Sequence, residues 1–194
     1  MDASRKRSRR RTDIALTGGI GAGKSEALKA FARHGAAVIS SDAIVHRLLG
    51  EDEEVHRELA ARLGADVVDS EGADRARIAE IVFADPEQLA WLEALLHPKV
   101  VREYLAWREE QTTPVTVSEI PLLYETGAEE RFDHVVVITA PPDVRARRAR
   151  VDPAERERRL LSEDEKVRRA DFVYVNDGSL EELDAFVADV LARV

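Results

Sequence analysis

No cysteine occurs in the 194 residues, which excludes disulfides, a thiolate nucleophile and any zinc or iron–sulfur centre held by cysteine. Histidine is scarce. The five fall at 34, 46, 56, 97 and 134, and no two have the i,i+4 spacing with which one helix face grips a transition metal. Long apolar runs are also missing: none approaches the roughly 18 residues needed to cross a bilayer, so no membrane partner is expected. The charged start of the chain is not followed by the apolar stretch of a secretory signal. What remains is a chain of about one globular domain, or one domain with a large insertion, expected in the cytoplasm.

Charge, by contrast, is abundant and unevenly placed. Charged residues make up 35% and apolar residues 44%, as in a folded chain with many solvated helix faces. The net charge is −9, yet residues 1–11 carry six bases (Arg5, Lys6, Arg7, Arg9, Arg10, Arg11) against Asp2 alone. The rest is therefore more acidic than the total and repels a nucleic-acid backbone, so no nucleic-acid partner is expected. Residues 1–12 are expected to form a disordered basic tail, and 13–194 the folded body.

Five short runs rich in Val and Ile predict strands: Ile14–Thr17, Ala36–Ser40, Val115–Ile120, Val135–Thr139 and Phe172–Val175. They are mostly continuous rather than alternating, which predicts an α/β fold with a five-stranded parallel sheet covered by helices on both faces. The first helix should start in a glycine-rich turn and end near Gly35. The last should follow Ser179 and Glu182, which have the spacing of a capping box. Between Ala43 and Gln111 no strand longer than Asp66–Asp69 is apparent, and Asp85-Pro86 and His97-Pro98 both predict helix starts with proline at the first position. Residues 43–111 are too many for a crossover and are expected to be an inserted helical subdomain for a second substrate.

Gly18-Gly19-Ile20-Gly21-Ala22-Gly23-Lys24-Ser25 fits G-x-x-x-x-G-K-[ST], directly after a predicted strand and before a helix. Glycines let the backbone turn its N–H groups onto phosphate oxygens, and the helix N-terminus adds the positive end of a dipole. Lys24 is expected on the β- and γ-phosphates of ATP and the Ser25 hydroxyl on Mg²⁺. The Asn-Lys-x-Asp motif of a GTPase is absent, since Asn176-Asp177-Gly178 lacks the lysine, and so is the Asp-Glu strand of a motor ATPase. A small kinase remains. Asp42, just past the second strand, is placed either to orient the acceptor hydroxyl or to cap the next helix, with Ser40 and Ser41 as rivals for the cap.

Leu16–Gly21, Leu96-His97-Pro98, Pro121–Glu125, and Ala170-Asp171 followed by Asn176-Asp177-Gly178 resemble, in this order, the corresponding segments of dephospho-coenzyme A kinases, over about residues 13–190. The resemblance implies transfer of the γ-phosphoryl of ATP to the ribose 3′-hydroxyl of dephospho-coenzyme A. It implies a three-layer P-loop fold with Asp42 as base and His97, Pro121, Leu122, Leu123 and Glu125 around the acceptor. Glu26 joins the nucleotide loop, Asn176 and Gly178 lie by the adenine, and residues 145–165 form a short lid carrying Arg148 and Arg156. Four positions depart from the family's usual pattern: Glu26, Ser40, His46 and Leu160. Two other readings fit the same motif, another small-metabolite or nucleoside monophosphate kinase and a catalytically silent nucleotide-binding regulator.

Overall fold

The computed structural model describes residues 11–148 and 160–194. These divide into two compact units, one combining the chain up to Ile39 with Gln111–Val194, the other being Ser40–Glu110. No helix among the described residues is long and apolar enough to cross a membrane.

The first unit is built on a five-stranded sheet of β1 (Thr12–Thr17), β2 (Ala37–Ser40), β5 (Val115–Glu119), β6 (His134–Thr139) and β7 (Phe172–Val175), in the order β2-β5-β1-β6-β7. β1 is central and runs parallel to β5 (Ile14 opposite Val117) and β6 (Leu16 opposite Val136), with β7 parallel to β6 beyond. Its side chains alternate between two buried faces. Ile14 and Leu16 join Val117, Val136 and Ile138 against α1 (Lys24–Arg33) and α8 (Leu180–Arg193), which bring Ala27, Phe31, Leu183, Val187 and Val190. Ala15, Val135 and Val137 face Leu123 and Tyr124 on the other side. Burying each large aliphatic or aromatic side chain contributes roughly 1.5–3 kcal/mol, which is why a strand buried on both faces needs no polar alternation.

β1 begins two residues before the apolar run because its first two residues are polar but satisfied. Asp13 is only 2% exposed, and its Oδ1 accepts from Thr116 Oγ1 at 2.5 Å and Arg11 Nε at 3.2 Å. Arg11 also donates to the Gln111 carbonyl. Arg11 and Thr12, counted from sequence with the basic tail, thus belong to the ordered body; the proposed tail residues 1–10 lie outside the described residues. α8 carries the expected capping box: Ser179 Oγ accepts from the Glu182 N–H, and Glu182 Oε2 accepts from the Ser179 N–H at 2.8 Å. Among the described residues, the helices α6 (Pro142–Arg148) and α7 (Glu163–Arg169) lie between β6 and β7 in the chain.

The second unit holds α2 (Ser41–Glu51), α3 (Glu53–Leu63), α4 (Arg75–Ala84), α5 (Pro86–Glu110) and a small antiparallel pair, β3 (Val68–Asp69) with β4 (Gly72–Ala73). Asp52 and Asp74 cap α3 and α4 through their carboxylates. Pro86 opens α5 as expected, but His97-Pro98 does not start a helix: Pro98 lies inside the single 25-residue α5. The carbonyl that Pro98 leaves without a helical donor is that of Ala94, and both residues are exposed, so water can replace the lost bond. Lys99, on the buried side of the same turn, donates to Asp52 Oδ2 at 3.0 Å and Glu54 Oε2 at 2.5 Å. Those bonds fasten α5 to the start of α3.

Candidate active site

The segment Gly18–Gly23 leaves the C-terminal end of β1 and runs into α1. Three of its glycines are required by close approach as well as by positive φ. A Cβ on Gly18 would meet the Ile138 carbonyl oxygen at 1.9 Å, one on Gly21 the Arg145 carbonyl oxygen at 2.6 Å, and one on Gly23 the Asn176 Nδ2 at 2.1 Å. The loop is therefore pressed between the ends of β6, α6 and β7, with Ala22 wholly buried and the Ala22 N–H donating to the Gly19 carbonyl. Gly23 is the left-handed N-cap of α1 and has no side chain to occupy the first-turn N–H groups. Such a turn, open-ended at a helix N-terminus, is an anion cradle.

Lys24 Nζ donates to the Gly19 carbonyl at 3.0 Å, so the ammonium lies over the loop itself. Ser25 is exposed in the first turn of α1. Glu26, an anion next to a phosphate cradle, is turned along the helix surface, where its Oε1 pairs with Lys29 Nζ at 2.7 Å. No group of three or more His, Asp or Glu side chains that could cage a metal occurs among the described residues. A single hydroxyl at the cradle suits Mg²⁺, which keeps most of its ligands as phosphate oxygens and water.

Asn176 follows β7, with 6% of its surface exposed. Its Nδ2 donates to the Ala22 carbonyl at 2.8 Å, and its own carbonyl accepts from Arg148 Nη1 at 3.2 Å. Arg148 is the last described residue of α6. Arg156, with the lid arginines at 150, 158 and 159, lies outside the described residues. Gly178 leaves room for the α8 capping box, since a Cβ there would meet Glu182 Oε2 at 1.8 Å.

After β5, Pro121–Glu125 forms turns beside β1. Thr17 Oγ1 donates to the Pro121 carbonyl at 3.5 Å. Pro121 and Leu122 are half-buried, whereas Leu123 is fully buried in the core and supports the loop from beneath. The Tyr124 hydroxyl is buried without a hydrogen-bond partner, burial pushes its pKa up to about 12, and the Arg169 guanidinium lies 4.3 Å from the ring centre. Glu125 Oε1 accepts from Lys166 Nζ at 2.9 Å and from the Leu161 N–H at 3.0 Å. That pair is almost closed to water.

Lys166 is the residue the motif reading passed over. It is 3% exposed, and it lines a pocket of about 60 Å³ with Gly19, Leu160, Leu161, Ser162 and Glu163. Its only signal in sequence is its place four residues before Ala170-Asp171. Asp171 itself is structural, its Oδ2 accepting from the Val135 N–H at 2.7 Å.

In the second unit, Asp42 is exposed in the first turn of α2. Ser40 is the N-cap residue there and makes no side-chain cap bond, so Asp42 does not serve as the cap. His46 Nδ1 meets Arg75 Nη1 at 2.8 Å. His97 is exposed on α5.

A family model described as dephospho-CoA kinase matches residues 12–182. A dephospho-CoA kinase from Thermobifida fusca is 38% identical over 188 residues, covering 91% of this chain and 93% of that protein. A crystal structure from Thermus thermophilus superposes with a TM-score of 0.81 at 36% identity, covering 95% of this chain and 98% of its own. A dephospho-CoA kinase from Campylobacter jejuni superposes with a TM-score of 0.67 at 27% identity, covering 93% and 96%. The glycine cradle ending in Lys24 and Ser25, the parallel sheet beneath it and a match over nearly the whole length lead to one assignment: the chain belongs to the dephospho-CoA kinase family.

Proposed function

We propose that the chain phosphorylates the ribose 3′-hydroxyl of dephospho-coenzyme A with ATP, giving coenzyme A and ADP in the cytoplasm. The observation that carries this reading is the cradle of Gly18–Ser25 at the end of the central strand, in a chain matched to that family over residues 12–182. Lys24 exchanges the Gly19 carbonyl for oxygens of the β- and γ-phosphates. Ser25 holds Mg²⁺, which neutralises phosphate charge when bound. Asp42 orients the acceptor hydroxyl and takes its proton. Arg148 and Arg156, in a lid over 145–165, offset charge on the transferring phosphoryl. Residues 43–111 with His97, and the loop Pro121–Glu125, hold the acceptor. Glu125 serves by fixing the loop through Lys166.

An ADP-release assay with ATP, Mg²⁺ and separate acceptors tests the reading. Dephospho-coenzyme A should be turned over and coenzyme A should not, because its acceptor hydroxyl is already esterified. Preference for AMP or shikimate would move the assignment to another small kinase.

A further inference from the structure

Asn176 presents its side chain to the phosphate loop, and its place in the structure is over-determined. Its N–H donates to the Thr139 carbonyl at 2.7 Å, its carbonyl accepts from Arg148, and its side-chain amide donates to the Ala22 carbonyl at 2.8 Å. The ends of β6 and β7 thus fix the amide before it meets the loop. Gly23 closes on it with no room for a methyl group.

A peptide unit is planar and trans, so its C=O and N–H point in opposite directions. The Ala22 carbonyl and the Gly23 N–H belong to one such unit. A donor that holds the carbonyl on the sheet side therefore aims the Gly23 N–H at the mouth of the cradle, where an anion is bound by such groups. Without that donor the carbonyl would be buried and unsatisfied, and the peptide would be free to turn its oxygen toward the phosphates. We propose that Asn176 is a positioning residue of the phosphate loop, holding the Ala22–Gly23 peptide with its N–H inward, and that it acts on the phosphate chain of the nucleotide rather than on the base. This rests on the reading of Gly18–Ser25 as a nucleotide cradle.

Inorganic tripolyphosphate separates the two roles, since it has the phosphates of ATP and no adenine. In Asn176→Ala and in Asn176→Leu, which nearly keeps the shape, adds no charge and loses the donor, the Kd values for ATP and for tripolyphosphate should rise by the same factor, about tenfold. The KM for dephospho-coenzyme A should stay unchanged. Loss of ATP affinity with tripolyphosphate unaffected would make Asn176 a base contact and overturn the proposal. A lower melting temperature with both affinities intact would make it a packing residue, with the same result. Should the variants not fold, the wild-type chain supplies the readout, because Asn176 is its only asparagine. Labelled with ¹⁵N-asparagine, it gives one side-chain amide pair, which tripolyphosphate should shift; an unmoved pair counts against the proposal. If the wild type binds neither probe, the nucleotide reading of the loop falls first and this inference with it.

Discussion

The Lys24 ammonium donates to the Gly19 carbonyl within the loop, and an anionic phosphate oxygen is a stronger acceptor than that neutral one. Lys24→Ala should lower kcat by on the order of 10²-fold or more in the ADP-release assay, because the charge acts mainly as the phosphoryl transfers; near-normal turnover would contradict its role. Tyr124 tests the opposite case. Its hydroxyl is buried and unpartnered, so Tyr124→Phe should leave the melting temperature unchanged or raise it, while the ring keeps its packing and the Arg169 contact. A clear loss of stability would show that the hydroxyl has a partner. Residue identities around the loop were legible because each has a chemical reason that needs no context. Orientations were not: nothing in the order of letters says that Glu26 turns to Lys29, or that the Asn176 amide meets the Ala22 carbonyl.

Among the elements, the apolar runs located all five strands of the sheet, and the capping box located α8. The start of β1 was hidden because hydropathy counts Thr12 and Asp13 as polar, and only the fold reveals the Thr116 and Arg11 donors that let Asp13 be buried. Pro98 misled for a similar reason, since its cost depends on whether the freed carbonyl faces water. The Lys166–Glu125 pair and the Lys99–Asp52–Glu54 cluster each fasten elements together and respond differently. Lys166→Met leaves Glu125 with most of its desolvation and no counter-charge, and should lower stability by about 3 kcal/mol in urea unfolding. Glu125→Gln, whose amide oxygen can still accept from Lys166 and Leu161, should cost less, and an equal or larger loss would mean that the missing counter-charge of the more buried Lys166 governs the cost. The cluster of Lys99, Asp52 and Glu54 should show in the pH profile. Burial opposes ionisation of Asp52, but the Val55 N–H and Lys99 outweigh it, and the Lys99 hydrogen bond lowers Glu54; the bond to Glu54 in turn raises Lys99. The acidic contribution is therefore present above the unfolded carboxylate value near about 4 and lost as pH falls through the lower folded values; the Lys99 contribution is whole below about 10.4 and lost as pH rises through its raised value. Thermal melts of Lys99→Met should thus run below wild type at neutral pH and converge with it at both extremes. A constant offset across pH would remove the linkage.

At the scale of the molecule, the α/β class followed from runs and spacing, because covering helices and parallel strands leave a repeated mark on sequence. The strand order did not, since neighbours in the sheet are set by crossovers that composition does not record. Order has a consequence in time. The central strand is made first, yet Thr12 pairs with Val115, so β1 cannot gain that neighbour until more than half of the chain has followed it. Ser40–Glu110 meanwhile closes mostly local contacts, which form quickly, whereas joining β1 to β5 carries the loop-closure entropy of the whole intervening stretch. During refolding, pulse-labelled amides of α4 and α5 should be protected ahead of those in β1, and β1 gaining protection first would reverse the order. On the ribosome the phosphate loop would then be synthesised before β5, β6 and β7 yet take shape only after them, so a nascent chain holds no nucleotide until β7 and Asn176 have emerged.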